Sequence, residues 1–110
     1  MNVAGIEALL KQAALAAGAT IVYSHLHGFG VGQGVTGVVL LAESHISVHT
    51  WPELGYAALD IFMCGRADPH QALAVIETGF LPQAREVQCL SRGLQRQVPS
   101  PLTLPAQRPL

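Results

Sequence analysis

Near the start of the chain, Ile6, Leu9, Leu10, Ala13, Ala14 and Ala17 recur every three or four positions, the period of one face of an α-helix. Gly18 follows, placed to end that helix in the left-handed conformation glycine adopts easily. The period then changes. Thr20 to His27 opens on Ile21-Val22-Tyr23 and reads as a strand, and the almost continuous apolar run Val35 to Ala42 as a second strand covered on both faces. His45 to Thr50 alternates, so that Ile46 and Val48 face one way while His45, Ser47 and His49 face the other. Tyr56 to Cys64 splits likewise: Ala57, Leu59, Ile61 and Met63 form an apolar face, and Tyr56, Ala58, Asp60, Phe62 and Cys64 share its opposite.

The punctuation fits these elements. Gly28, Gly30, Gly32 and Gly34 make a flexible loop around Phe29, and Trp51-Pro52-Glu53-Leu54-Gly55 is a turn. Asp68-Pro69 supplies an N-cap and a proline at the first helical position, with Leu73, Ile76 and Phe80 on one side of the helix that follows. Arg85 to Leu90 is expected to be a final strand. Helix, strands, helix and strand in that order predict an α+β fold, a two-layer sandwich of an antiparallel sheet with helices on one face. The other face then needs cover or a function. Residues 1–96 are expected to form one domain, and 97–110, with Pro99, Pro101, Pro105 and Pro109, an extended or disordered tail.

Composition narrows the function. Half of the 110 residues are hydrophobic and 12% charged, so much of the surface must be buried internally or against a partner. Six Lys and Arg at a net charge of −1 give no electrostatic footprint for nucleic acid. No apolar run reaches membrane-spanning length, and the N-terminus lacks the build of a signal peptide, which leaves a cytoplasmic protein as the expectation. Cys64 and Cys89 are too few for a disulfide framework.

Against that plain background one span is dense in chemistry: Glu43-Ser44-His45-Ile46-Ser47-Val48-His49-Thr50-Trp51-Pro52-Glu53, followed by Gly55 to Gly65. Each residue has an ordinary reading. Ser44 is a polar residue at a strand start and lacks a Gly-x-Ser-x-Gly setting; His49 is a half-buried strand histidine; Cys64 is a small buried hydrophobe. A metal site is not expected: His45 and His49 share a face, as do His25 and His27, but no further ligands complete a set. The loop Gly28 to Gly34 lacks the Gly-Lys-Ser/Thr ending of a phosphate loop.

This span closely resembles the processing and active-site region of the small prokaryotic S-adenosylmethionine decarboxylases. The resemblance covers most of residues 5 to 92 and is most specific over 34 to 65. It implies self-cleavage between Glu43 and Ser44: the serine hydroxyl attacks the Glu43 carbonyl, an ester replaces the amide, and elimination leaves a pyruvoyl group in place of Ser44. His49 is implied as the processing base, Thr36 as its support in the place of a family serine, and Cys64 as the proton donor in catalysis. Glu53 is implied to bind the substrate ribose; Phe29, in a loop about one residue longer than usual, is implied to stack on the adenine, with Trp51 a stacking group or a wedge under the turn. The substrate amine would form a Schiff base with the pyruvoyl ketone, carbon dioxide would leave, and decarboxylated S-adenosylmethionine, the aminopropyl donor for spermidine, would be released.

The resemblance also implies a homodimer of cleaved protomers with sites at the interface. Ser44 and His49 are an odd number of positions apart and would face opposite ways on a straight strand, so a bend is expected near the cleavage point or at Thr50-Trp51. Family members usually begin with a further strand before the first helix; here the helix begins almost at once, as in a truncated reading of a longer gene or a variant with altered pairing. Two rivals follow. One is a pyruvoyl-dependent paralogue acting on ornithine or arginine; the other is a truncated, non-catalytic partner subunit.

Overall fold

The computed structural model describes residues 1–91; the expected tail at 97–110 lies outside them. Helix α1 (Val3–Ala16) is followed by strands β1 (Ile21–Gly28), β2 (Val35–Leu41), β3 (Ser44–Trp51) and β4 (Tyr56–Phe62), then by helix α2 (Pro69–Phe80). A short 3₁₀ turn, Pro52–Leu54, links β3 to β4. The four strands form one antiparallel sheet in the order β1-β2-β3-β4. This is the expected α+β architecture, with strands β1 to β4 each within two residues of its expected span.

Local chemistry sets the helix ends. The Asn2 side chain accepts from the Gly5 N–H at 2.7 Å and Asp68 from the His70 N–H at 2.9 Å, each satisfying a donor that the helix cannot. The Asp68 N–H also donates to the Ala17 carbonyl at 3.0 Å, which ties the start of α2 to the end of α1. Gly79 lets the helices meet closely: a Cβ there would lie 2.5 Å from the Leu9 side chain.

The core lies on one side of the sheet. Ile6, Leu10, Ala13 and Ala14 of α1 and Ala72 and Ile76 of α2 pack on Leu26, Val35, Val39, Leu41, Ile46 and Val48. Fully burying each of the larger aliphatic side chains is worth about 1.5–3 kcal/mol, so this layer dominates stability. On the same side the Ser24 hydroxyl donates to Glu7 and holds that carboxyl below its ordinary range.

Among the described residues no helix packs on the opposite face of the sheet. Register places Tyr23, Leu40, His45 and Phe62 in one row across it, His25, Val38, Ser47 and Asp60 in the next, and His27, Thr36, His49 and Ala58 in the third. Tyr23, Leu40, Trp51 and Tyr56 are all exposed there.

One expected element is absent. Residues 85–90 form no strand. The run offers nothing to zip onto an edge, since its two large apolar residues, Val87 and Leu90, are three positions apart and fall on opposite faces of an extended chain. Val87 instead lines a cavity of about 1060 Å³ with Leu59, Ile61, Leu73 and Phe80, on the helix side of the sheet.

Candidate active site

The sequence-predicted residues separate into two groups at opposite ends of β3. The first surrounds the hairpin turn Ala42-Glu43, where Leu41 pairs with Ser44 across the β2–β3 ladder. Glu43 takes the left-handed conformation, φ +66°, which a residue with a Cβ adopts at a cost of about 1–2 kcal/mol. The Ala42 N–H donates to the Thr20 carbonyl at 2.9 Å and pins the turn to the start of β1. Cys64, just past the end of β4, donates its thiol to the Glu43 carbonyl oxygen at 3.1 Å. The Ser44 hydroxyl donates to the Ala42 carbonyl at 3.4 Å. Carbonyl, thiol and hydroxyl therefore converge on the Glu43–Ser44 peptide bond, on a strained backbone.

The second group lies at the other end of β3. Thr36 is the register partner of His49, and its Oγ1 is 3.2 Å from His49 Nδ1. The contact is fixed from below. Thr50 Oγ1 accepts from the Val35 N–H at 2.9 Å, and Gly34 passes so close that a Cβ would sit 2.2 Å from the Thr50 carbonyl. Around this pair the aromatic rings gather. His49 and Trp51 are 6.2 Å apart between ring centroids, Trp51 stacks on Tyr56 at 5.4 Å, and Phe29 meets His27 edge-on at 4.7 Å. Glu53 is exposed in the 3₁₀ turn that follows.

The expected bend in β3 does not occur. Its register runs unbroken from Ser44 to Leu41 through His49 to Thr36 on one side, and from His45 to Phe62 through Trp51 to Tyr56 on the other. Two flanking ladders hold the strand straight. At about 3.3 Å per residue, five residues put His49 roughly 16 Å from Ser44 within one chain. Thr36, Trp51 and Glu53 accompany His49, while Cys64 accompanies Ser44.

Between the two groups lies a pair that the pattern of the sequence did not single out. His45 Nε2 is 3.2 Å from Asp60 Oδ2, and the His45 ring lies 5.6 Å from that of Phe62. Strand alternation assigns both residues to the uncovered face but not the register that joins them. Among the described residues no group of three or more His, Cys, Asp or Glu side chains could hold a metal ion, and no helix is long and apolar enough to cross a membrane.

The profile of the S-adenosylmethionine decarboxylase family matches residues 1–93. The chain belongs to that family. An S-adenosylmethionine decarboxylase proenzyme from Methanococcus maripaludis (strain S2) is 50% identical over 91 residues, covering 82% of this chain and 74% of its own length. The protein of the same name from Fervidobacterium nodosum is 45% identical over 105 residues, covering 94% of this chain and 76% of its own length. The crystal structure of the adenosylmethionine decarboxylase from Aquifex aeolicus VF5 superposes with a TM-score of 0.63 at 44% identity, covering 72% of this chain. The matched part is 65% of that solved chain, just under two thirds. Names of this kind do not favour an ornithine or arginine paralogue.

Proposed function

We propose that this chain is a proenzyme that cleaves itself between Glu43 and Ser44 and, as a homodimer, decarboxylates S-adenosylmethionine with a pyruvoyl group formed from Ser44. Residues 1–96 act as one decarboxylase domain, in the cytoplasm. The observation that carries the reading is the contact of the Cys64 thiol with the Glu43 carbonyl, 3.1 Å long, at a left-handed residue.

The residues around the Glu43–Ser44 bond fit the making of that group. An amide is a poor acyl donor, and its attack by a hydroxyl needs the developing oxyanion to be met by a donor already in place. Cys64 is such a donor. Strain at Glu43 raises the starting state and is released as the bond breaks. When present, the pyruvoyl ketone supplies an electron sink for the carbon–carbon bond that breaks as carbon dioxide leaves. Cys64, opposite the turn, then gives its proton to the substrate carbon that has lost carbon dioxide.

The base must come from elsewhere. His49, supported by Thr36, is the residue proposed to take the Ser44 α-proton, yet it is roughly 16 Å along the same strand. A second copy resolves this distance. The uncovered face, with Tyr23, Leu40, Trp51 and Tyr56 exposed, is the kind of apolar patch that marks an interface. Two such faces related by a two-fold axis near Ser47, the outward-facing residue closest to the midpoint of 44 and 49, would lay His49 of the partner subunit over the backbone of Ser44, whose side chain has the helix-side parity of Ile46 and Val48, and the reverse. Each composite site then joins Glu43, Ser44 and Cys64 of one protomer to Thr36, His49, Trp51, Glu53 and Phe29 of the partner subunit. Glu53 binds the ribose hydroxyls there, and the aromatic rings take the adenine.

Intact mass of the purified protein tests the reading in one step. Two fragments, the larger blocked to Edman sequencing because a pyruvoyl end has no amine, are expected, with Ser44→Ala remaining a single chain. A stable uncleaved protein with a free N-terminus only at Met1 overturns it, and favours the non-catalytic partner subunit.

A further inference from the structure

Nothing in the proposed function uses His45, which adjoins the reacting centre, or Asp60, which contacts it. His45 is the residue immediately after Ser44. Its side chain lies on the uncovered face, with Phe62 directly opposite on β4; Cys64 follows two positions on, just past the end of that strand. The imidazole and the carboxylate are both half-buried, 37% and 26% exposed, with Nε2 and Oδ2 3.2 Å apart. A histidine oriented by a carboxylate next to an electrophilic carbon is the arrangement of a base and its orienting group.

The reaction needs one. An α-amino acid reaches a neutral site as an ammonium ion, whose nitrogen has no lone pair to attack with. Cys64 is assigned to the later protonation of carbon, and His49 to the processing step. The remaining titratable groups facing this side are Tyr23 and His25 on β1, about 10 Å away across β2, His27 and Tyr56 at the other end of the sheet beside the Thr36–His49 row, and Glu43 on the far side of the cleaved bond. β2 itself presents only Leu40, Val38 and Thr36 to this face.

We infer that His45, held by Asp60, is the base that takes the proton from the substrate's α-ammonium group before its nitrogen attacks at residue 44; the inference rests on the proposed function. With Asp60 accepting from Nε2–H, the lone pair of Nδ1 is free to take that proton. The N–H bond breaks, its electron pair stays on nitrogen, and the carboxylate steadies the imidazolium. That imidazolium hands the proton to the oxygen expelled as water when the amine condenses, so no net proton is consumed.

The test separates this step from decarboxylation by using the product amine, decarboxylated S-adenosylmethionine, which has no carboxylate to lose. Cleaved His45→Gln and Asp60→Asn proteins, shown by mass to carry the pyruvoyl end, are incubated with it and cyanoborohydride, and the rate of adduct formation is followed by mass. A fall of about a hundredfold in His45→Gln, the lower end of what a positioned base gives, and about tenfold in Asp60→Asn are expected. Methoxyamine, already unprotonated at neutral pH, should add to both at the parental rate. Parental addition of the product amine overturns the inference, as does equal slowing of both amines, which marks a loss of shape. Should His45→Gln fail to cleave, Asp60→Asn carries the same comparison alone. A parental protein with no pyruvoyl end is a distinct result, because it removes the proposed function and the inference with it.

Discussion

The thiol of Cys64 donates to the carbonyl oxygen of Glu43 at 3.1 Å, so the residue proposed to protonate substrate carbon also touches the bond proposed to be cut. Both roles can be measured in one variant. Cys64→Ala should still cleave, but up to tenfold more slowly, because one hydrogen bond of about 1 kcal/mol to the developing oxyanion is lost. Turnover of the cleaved protein should fall by about 10²–10⁴. Misplaced protonation should convert residue 44 to alanine, a change seen by mass. Decarboxylation at the parental rate would make Cys64 a packing residue.

Strain at Glu43 gives a second expectation. In a Ser44→Ala background, which cannot cleave, Glu43→Gly should stabilise the folded chain by roughly 0.5–1 kcal/mol, since glycine accepts φ +66° without a Cβ clash. With Ser44 intact the same change should slow cleavage. Thermal unfolding and the half-time of cleavage report the two effects. Faster cleavage in Glu43→Gly would show that the left-handed backbone does not promote the acyl shift.

How much of this was legible in the sequence varies by residue for physical reasons. Alternation in 45–50 and 56–64 correctly divided His45, His49 and Asp60 from Ile46, Val48 and Leu59, because period two is a local property of a strand. Register is not local. The meeting of Thr36 with His49, of His45 with Asp60 and of Cys64 with Glu43 depends on hairpin lengths, which the pattern does not encode. Parity showed that Ser44 and His49 face opposite ways on a straight strand, for which a bend was the remedy within one chain; their separation along β3 follows from the unbroken register. The strand expected at 85–90 does not form, because Val87 and Leu90 fall on opposite faces of an extended chain and leave no apolar row to bury.

Glu53 lies with the Thr36–His49 group, away from the cleavage turn of its own chain, and is exposed on a short turn. Its proposed contact is with the substrate alone. Glu53→Gln should raise KM for S-adenosylmethionine about tenfold or more, as expected for a lost charge-assisted hydrogen bond, while cleavage keeps its parental half-time. Trapping with borohydride and S-adenosylmethionine should weaken in parallel. If ornithine or arginine is trapped and turned over while S-adenosylmethionine is not, the substrate assignment is wrong.

The separation of His49 from Ser44 yields the most discriminating experiment, because a site shared between two chains can be rebuilt from two defective ones. His49→Ala alone should stall, either uncleaved or as an ester at Ser44 that hydroxylamine cuts far more readily than an amide. Ser44→Ala alone cannot cleave, yet it keeps Thr36 and His49 intact. Co-expressed with distinguishable tags, the two variants form mixed dimers in which the His49→Ala chain supplies Glu43, Ser44 and Cys64 and the Ser44→Ala chain supplies the base. The His49→Ala chain should then cleave, and only in the mixed species. The Ser44→Ala chain should stay whole. Each mixed dimer holds one complete site, so turnover should approach half the parental value per dimer, once allowance is made for the fraction of mixed pairs. Addition of Thr36→Ala to the Ser44→Ala chain should reduce the rescue, whereas its addition to the His49→Ala chain should not. Failure of the mixed dimer to cleave, with dimerisation verified by tag pull-down, would place the processing base within the same chain and remove the shared site.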